Sequence, residues 1–273
     1  MHFGRAKMDA KIINKGIPLV VFNGWEDKVI HAFSTKLGGV SKGDYESLNL
    51  GFNRGDEPDN VLQNYSIMAE ALGVDKNSFV ASQQTHKTAV IKVTKDDLGN
   101  GIYTPNKFSD IDGIYTDEEE VTLVTYYADC VPLFFYAPKH NMIGIAHAGW
   151  RGTVEEIGKK LATIWNEQHG ISFEDIEVGI GPSICSSCFE VHNDVADVFL
   201  AKPIFDEFVV YDKTINKYNI DLWACNKKSL ELLGIQKIYV ASMCTCCNPD
   251  TFFSHRKTGG NRGSLAAFMS LRK

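Results

Sequence analysis

Two histidines and one cysteine, dispersed along the chain, carry the donor atoms of a zinc site. His86 precedes a β-rich segment, Cys130 interrupts two apolar segments beside Asp129, and His147 follows another apolar segment and opens a glycine-rich turn. Two imidazoles and a thiolate leave the fourth position of a tetrahedral zinc open, as in catalytic rather than structural sites. Only a complete fold could bring these residues together, because no local finger spans them. One catalytic zinc on these residues is a hypothesis from donor types alone, which their spacing does not establish, with copper as the second choice.

Four other cysteines offer a second metal site. Cys185 and Cys188 have the spacing of a metal knuckle or a redox pair, and the segment from Cys244 to Cys247 could complete a four-thiolate zinc site. The residues beside Cys185 lack the tight turn of a knuckle, and thiols are often small buried side chains. We therefore prefer a packing role and rank structural zinc second.

The composition is that of an ordinary globular protein. The 273 residues are 44% hydrophobic and 23% charged, with a formal net charge of −6. Without a long basic run, duplex nucleic acid is not expected as a partner, because its binding depends on neutralising phosphates. Small anions held by local arginines remain compatible with this charge. Seven cysteines, an odd number, argue against a disulfide framework.

No segment predicts export or membrane insertion. Residues 1–10 lack the apolar stretch of a signal peptide, and the apolar run at residues 17–22 is too short to cross a bilayer. We therefore expect a cytoplasmic protein, a monomer or a homodimer, without a membrane partner.

Apolar runs and helical periodicities alternate along the chain. Strands are predicted at residues 19–22, 90–93, 122–127, 131–136, 142–146, 176–180 and 237–241. Helices are predicted at residues 60–72, 153–169 and 221–233, with Thr153 and Glu156 forming a capping box at the start of the second. This alternation favours an α/β domain, whose ligand sites lie at strand ends and helix N-termini.

Two motifs carry a family resemblance. Ala128-Asp129-Cys130-Val131-Pro132, followed by His147-Ala148-Gly149-Trp150-Arg151-Gly152-Thr153, resembles the signature of the YfiH/YlmD family, which is variously called laccase-like polyphenol oxidase, peptidoglycan editing factor and purine nucleoside phosphorylase. The likeness covers most of the chain, through Ser47-Leu48-Asn49-Leu50-Gly51, Gly55-Asp56, Ser82-Gln83-Gln84-Thr85-His86, Asp112-Gly113, Gly181-Pro182-Ser183-Ile184, Phe189-Glu190-Val191 and Phe252-Phe253-Ser254-His255-Arg256. Lys87, His255 and Asn261-Arg262 depart from the common pattern.

The resemblance implies a single α/β domain over residues 1–273, with a mixed sheet and flanking helices. It implies one zinc on His86, Cys130 and His147, the same ligands that the donor types suggest. It also implies phosphorolysis of adenosine, inosine, guanosine or methylthioadenosine to base and ribose 1-phosphate, with deamination of adenosine in addition. The expected partners are therefore a purine nucleoside and phosphate.

Two residues are candidates for catalytic roles. Asp129, beside the thiolate ligand, could move a proton or orient His86 or His147, and we favour the orienting role. Arg151 stands before a predicted helix start, where a guanidinium and free amides suit phosphate. The capping box at Thr153 is an equally good explanation of the same helix start.

Five further residues are candidates for substrate contacts. Arg54 and Arg256 are alternative phosphate ligands. Asn49, Gln84 and Ser254 could contact ribose or base, an assignment that rests mainly on the resemblance, since turn formation also explains Asn and Ser.

Three rival functions remain open. Cys130 could be the nucleophile of a metal-free hydrolase in peptidoglycan-precursor editing, activated by His86 or His147. A copper-dependent polyphenol oxidoreductase is chemically possible, since two imidazoles and a thiolate also suit blue copper. A four-copper laccase, however, needs roughly ten imidazoles, whereas the chain has eight histidines and no His-x-His pair. A non-catalytic, zinc-stabilised module is the third class.

Overall fold

The computed structural model describes residues 9–272, which form fifteen strands and six helices. Residues 1–8, on which much of the signal-peptide prediction rests, and residue 273 lie outside the described part. The strands are β1 (Ala10–Asn14), β2 (Pro18–Phe22), β3 (Ile30–Ser34), β4 (Phe79–Ala81), β5 (Val90–Lys92), β6 (Gly113–Thr116), β7 (Thr122–Tyr127), β8 (Val131–Ala137), β9 (Met142–Ala148), β10 (Glu177–Ile180), β11 (Glu190–Val191), β12 (Val209–Asp212), β13 (Lys217–Ile220), β14 (Lys237–Val240) and β15 (Leu265–Ser270). The helices are α1 (Pro58–Leu72), α2 (Trp150–Val154), α3 (Ile157–His169), α4 (Asn193–Leu200), α5 (Leu222–Glu231) and α6 (His255–Thr258).

Two six-stranded mixed sheets pack face to face. The first has the strand order β1-β2-β3-β15-β7-β4, and the second has the order β14-β10-β8-β9-β6-β5. A small third sheet has the order β11-β13-β12. The α/β prediction with mixed sheets and flanking helices is therefore confirmed, although the stacking of two sheets was not expected.

Strand β8 shows why the second sheet is buried on both faces. Alternate side chains of a strand point to opposite faces. Phe134 and Tyr136 join the core between the two sheets, whereas Leu133 and Phe135 join the core beneath the helices. Phe134 meets Phe22 of the first sheet edge to face, with ring centroids 5.5 Å apart.

Helices cover the two outer faces. Helix α1 packs on the first sheet through Tyr65 and Met68. Helices α3 and α5 pack on the second sheet through Leu161, Trp165 and Leu230. The layers are thus helix, sheet, sheet and helix.

None of the helices among residues 9–272 has the length and apolar character needed to cross a bilayer.

The predicted helix over residues 153–169 is wrong at its start. Helix α2 already begins at Trp150, and the chain breaks before α3 because Glu156 adopts a left-handed backbone with φ 55°. The predicted capping box is absent as well. The Thr153 hydroxyl donates to the Ala148 carbonyl, and the Glu156 carboxylate accepts from the Ser229 hydroxyl. Both helices bury residues in one core, so the apolar pattern runs across the break unchanged.

Candidate metal centre

The three predicted ligands lie where the chain passes between the two large sheets. His86 is in the connection from β4 to β5, and Cys130 is in the turn from β7 to β8. Strands β4 and β7 belong to the first sheet, whereas β5 and β8 belong to the second. His147 lies near the end of β9, the neighbour of β8, and pairs across to Pro132. Folding therefore brings together residues that are far apart in the sequence.

The donor atoms of His86, Cys130 and His147 all lie within 4.8 Å of one another. The Cys130 Sγ is 3.8 Å from the His86 Nε2, and the two imidazole centroids are 4.9 Å apart. Ligands of one tetrahedral zinc lie roughly 3.3–3.8 Å apart, given bonds of about 2.0 Å to nitrogen and 2.3 Å to sulfur. The donor set and its spacing therefore fit a single zinc ion. His147 is buried and His86 is exposed, so such an ion would be open to solvent on one side.

Gly149 is required by the close approach of the ligands. A Cβ atom there would lie 2.9 Å from the His86 Cδ2 and 3.1 Å from the Cys130 Sγ. The same glycine is the N-cap of α2. Because any side chain would push two ligands apart, this position couples the start of α2 to the geometry of the site.

Asp112 orients the ligands, a role that sequence analysis assigned to Asp129. The Asp112 carboxylate is 2.8 Å from the His147 Nδ1, and it accepts the backbone N–H groups of Thr85, His86 and Lys87. Burial raises the pKa of Asp112, but the hydrogen bond and charge of His147 outweigh it and hold the pKa below its usual value. The signal for this role was the Asp112-Gly113 motif, which the sequence analysis used only for the resemblance.

Charges within the site favour a thiolate. Burial alone would raise the pKa of the Cys130 thiol, but His147 and His86 outweigh it and lower the pKa to about 6. Burial alone would lower the pKa of His147, but Cys130 and Asp112 raise it to about 9. A thiolate is the form of cysteine that binds metals and attacks electrophiles.

Two residues of the site have left-handed backbones. His86 has φ 63° and Asp129 has φ 86°, in a region that non-glycine residues rarely adopt. The Asp129 carboxylate accepts from the Thr245 hydroxyl at 2.6 Å and from the Arg256 backbone N–H at 2.7 Å. Such conformations persist where surrounding contacts enforce them, and they cluster at functional sites.

A cleft of about 840 Å³ has the three ligands in its wall. This volume lies within the usual range of small-molecule sites. Aromatic side chains of Phe52, Tyr127, Trp150 and Phe189 also line the cleft. The cleft can therefore enclose a ligand with a flat apolar part beside the metal ligands.

Arg54 and Arg262 bring positive charge to the cleft. The Arg54 Nε and the Arg262 Nη1 are each 3.4 Å from the Ser264 hydroxyl oxygen. Among residues 9–272, no carboxylate lies within ion-pair distance of either guanidinium. Burial and the charge of Arg54 lower the pKa of Arg262 to about 10, so it stays charged at neutral pH. The Arg262 Nε is buried without a hydrogen-bond partner in the described part of the chain.

From the sequence, Arg262 stands out only as a departure from the family pattern. Nothing in its surroundings in the sequence marks it as buried.

Four of the predicted site residues line the cleft together with the candidate metal ligands: Arg54, Gln84, Asp129 and Arg256.

Gln84 and Arg256 make contacts to the backbone through their side chains. The Gln84 side-chain amide binds both the N–H and the carbonyl of Tyr126. The Arg256 guanidinium donates to the carbonyls of Cys188 and Glu190. These contacts position the walls of the cleft.

Three predicted residues are not among those lining the cleft. Asn49 is buried, and its amide binds Gly51, Asp56 and Ser264. Ser254 caps α6 by accepting the Lys257 N–H. The Arg151 guanidinium lies 4.2 Å from the ring centroid of Trp150. The structure thus gives Asn49 and Ser254 local structural roles and places Arg151 beside, not in, the cleft.

Comparison with known proteins agrees with this architecture. Residues 30–272 match the family model described as multi-copper polyphenol oxidoreductase laccase. The purine nucleoside phosphorylase YlmD of Bacillus subtilis is 38% identical over 90% of both chains. The purine nucleoside phosphorylase SA1030 of Staphylococcus aureus is 35% identical, over 86% of this chain and 89% of the relative.

Solved structures extend the agreement to the fold. YlmD from Geobacillus stearothermophilus superposes with a TM-score of 0.91 at 33% identity, covering 98% of this chain and 100% of the other. The YfiH protein of Bacillus licheniformis gives a TM-score of 0.88 at 33% identity, over 93% and 96% of the two chains. The predicted YfiH/YlmD relationship is confirmed, and the chain belongs to the multi-copper polyphenol oxidoreductase laccase family.

Proposed function

We propose that this protein is a zinc-dependent purine nucleoside phosphorylase that also deaminates adenosine. The observation that carries the proposal is the meeting in one cleft of nucleoside size of two imidazoles, one thiolate and two guanidinium groups that have no carboxylate partner among residues 9–272. The names of the curated relatives support the phosphorylase part. Adenosine, inosine, guanosine and methylthioadenosine are the proposed substrates.

His86, Cys130 and His147 would hold the zinc. A zinc ion with an open position polarises bound oxygen and lowers the pKa of bound water to about 7. Asp112 keeps the Nδ1 of His147 hydrogen-bonded, so the opposite nitrogen faces the other ligands. Gly149 leaves the space in which the ligands converge.

Arg54 and Arg262 are the proposed phosphate ligands. Guanidinium groups bind phosphate through paired, charge-assisted hydrogen bonds. Bound phosphate would also relieve the repulsion between the two like charges and give the buried Arg262 Nε an acceptor. In phosphorolysis a phosphate oxygen bonds to C1′ of the ribose as the bond from C1′ to the purine breaks. The base leaves with a proton, and ribose 1-phosphate is the second product.

Deamination would use the same nucleoside pocket but no phosphate. Water replaces the amino group at C6 of the purine, and ammonia leaves. Aromatic side chains such as Trp150 and Phe189 can hold the flat base by stacking. The two reactions can therefore be distinguished experimentally, because only phosphorolysis needs phosphate.

A hydrolase that uses Cys130 as its nucleophile is the second candidate, and the contact between Cys130 and two histidines favours it. The Cys130 Sγ lies beside the His86 imidazole, an arrangement that also activates cysteine nucleophiles. Multi-copper chemistry has no comparable support. In the part of the chain that the structure describes, His86 and His147 are the only histidines in a cluster of metal donors.

The test is chromatography of adenosine incubated with zinc-loaded protein, with and without phosphate. We expect adenine only with phosphate, and inosine in both samples, part of it cleaved further to hypoxanthine where phosphate is present. If neither adenine nor inosine forms, the proposal is refuted. If adenine forms without inosine, the deaminase part of the proposal is removed. Chelation of zinc should stop both reactions, whereas a metal-free hydrolase with Cys130 as its nucleophile would remain active.

A matched pair of variants tests the phosphate site. Arg262→Gln should raise the KM for phosphate at least 10-fold, since a lost charge-assisted hydrogen bond costs about 1.5–3 kcal/mol, while inosine formation continues. Arg272→Gln, at an exposed arginine outside the cleft, should leave both unchanged. If Arg151→Gln raises the KM and Arg262→Gln does not, phosphate binds at the start of α2 instead.

A further inference from the structure

Two pairs of cysteines follow neighbouring parallel strands. Strands β10 and β14 pair in parallel, and each pair of cysteines comes shortly after one of these strands. Backbone hydrogen bonds continue beyond the strands, from Ser183 N–H to the Met243 carbonyl and from Thr245 N–H to the Ser183 carbonyl. The cysteine-bearing segments are thereby held side by side.

The sulfurs of Cys185, Cys188, Cys244 and Cys247 form one cluster. All four lie within 4.8 Å of one another. The Cys188 and Cys185 sulfurs are 3.4 and 3.9 Å from the Cys247 sulfur. Tetrahedral thiolates around one zinc lie about 3.8 Å apart, given bonds of about 2.3 Å. Clusters of several irons hold their cysteines farther apart, so the spacing fits a single ion.

The backbone around the cluster is arranged for negative charge on sulfur. The N–H groups of Cys185 and Cys247 both donate to the Cys244 sulfur at 3.3 Å. Packing does not account for this cluster. Cys225 is a fully buried thiol in an apolar core, whereas Cys185 and Cys188 are half-buried and Cys247 is exposed.

We propose that Cys185, Cys188, Cys244 and Cys247 bind one structural zinc ion, separate from the ion in the cleft. Four protein ligands leave no position for substrate, which is the arrangement of structural rather than catalytic zinc. From the sequence we preferred a packing role for these cysteines, and we now prefer metal binding. This proposal is independent of the nucleoside reaction.

The ion would fix one wall of the cleft. The Cys188 carbonyl accepts from the Arg256 guanidinium at 2.6 Å, and Thr245, next to Cys244, donates to Asp129. Ile184 and Phe189, on either side of the first pair, line the cleft. Loss of the ion should therefore loosen contacts to both Asp129 and Arg256.

Native mass spectrometry of the zinc-saturated full chain tests the proposal. We expect two zinc ions per chain, one ion in Cys247→Ser, and two in the matched control Cys246→Ser, whose thiol is adjacent but outside the cluster. Cys247→Ser should also lower the Tm by several degrees, since structural zinc contributes directly to folding. The same number of zinc ions in the wild type and in Cys247→Ser would overturn the proposal, as would a disulfide within the cluster in that saturated protein.

A second measurement leaves the cluster intact. Cys130→Ser removes a ligand of the cleft, so zinc X-ray absorption of this variant reports the other site. We expect only sulfur neighbours around the remaining ion. Zinc without sulfur neighbours, or the absence of zinc, would contradict a four-thiolate site even if Cys247→Ser failed to fold.

Discussion

At the scale of single residues, Asp112 connects two of the candidate metal ligands. Its carboxylate holds one ligand ring and the backbone of the loop that carries another, His86. That His86, Cys130 and His147 lie together could be predicted from the sequence because imidazole and thiolate donors are scarce and chemically specific. The contacts of Asp112 and Arg262 could not, although Asp112 lies in a family motif, because acids and arginines usually lie at the surface and only the fold shows these two to be buried.

Asp112→Asn should weaken zinc binding in the cleft 10–100-fold, because outer hydrogen bonds to ligands have this effect on metal affinity. Asparagine has similar size but lacks the charge and one acceptor oxygen. Competition with a metallochromic chelator measures the change. Asp110→Asn is the matched control, since this exposed carboxylate binds Thr85 and Lys87 instead. Equal effects of the two substitutions would refute an orienting role.

At the scale of elements, the sequence predicts strands well where apolar runs are short and bounded. Strands β7 and β8 are flanked by polar breaks, and the predicted ranges match them within one residue. Strand β15 was not predicted. Its first five residues, Leu-Ala-Ala-Phe-Met, are apolar without alternation, because the strand is buried between β3 and β7, and such a run suits a helix equally well.

His31 ties β2 to β3 and should make stability depend on pH. Its Nε2 accepts the Phe22 N–H at 2.8 Å, and its Nδ1 lies 3.1 Å from the Val29 carbonyl. Burial lowers the pKa to about 4 from the usual 6.5, against the opposing charge of Glu26. The folded protein therefore binds this proton less well than the unfolded chain. The stabilisation is complete above pH 6.5 and is lost as pH falls towards 4, by about 3 kcal/mol.

Urea unfolding of the wild type and His31→Gln at pH 7.5 and 4.5 measures this effect. Glutamine retains an acceptor for the Phe22 N–H but does not titrate. We expect the variant to be less stable at pH 7.5 and to lose less stability on acidification. Parallel losses in the two proteins would show that other groups dominate the acid response.

At the scale of the whole molecule, stability rests on the contact between the two large sheets. Phe22, Phe33, Phe134 and Tyr136 meet in this core. The sequence could predict mixed strands and helices but not two stacked sheets, because pairing partners such as β3 and β15 are distant in the chain. The position of the cleft depends on this stacking, so it could not be predicted from the sequence either.

Phe134→Ala should lower the free energy of unfolding by roughly 3–5 kcal/mol, because it leaves a cavity between the sheets. Its side chain is 1% exposed. Val210→Ala, at a valine 60% exposed on the small sheet, should change stability by no more than about 0.5 kcal/mol. Chemical denaturation of both variants checks the difference. A small loss for Phe134→Ala would mean that the sheets repack around the gap.

The passage of the chain between sheets beside the cleft has a kinetic consequence. The loops that carry His86 and Cys130 each join a strand of one sheet to a strand of the other. An ion bound to both loops must dissociate before the sheets separate at this edge. Local opening would then be no faster than metal release, and backbone amide protons near Tyr127 and Val131 would exchange with solvent at a rate set by how long the ion stays bound.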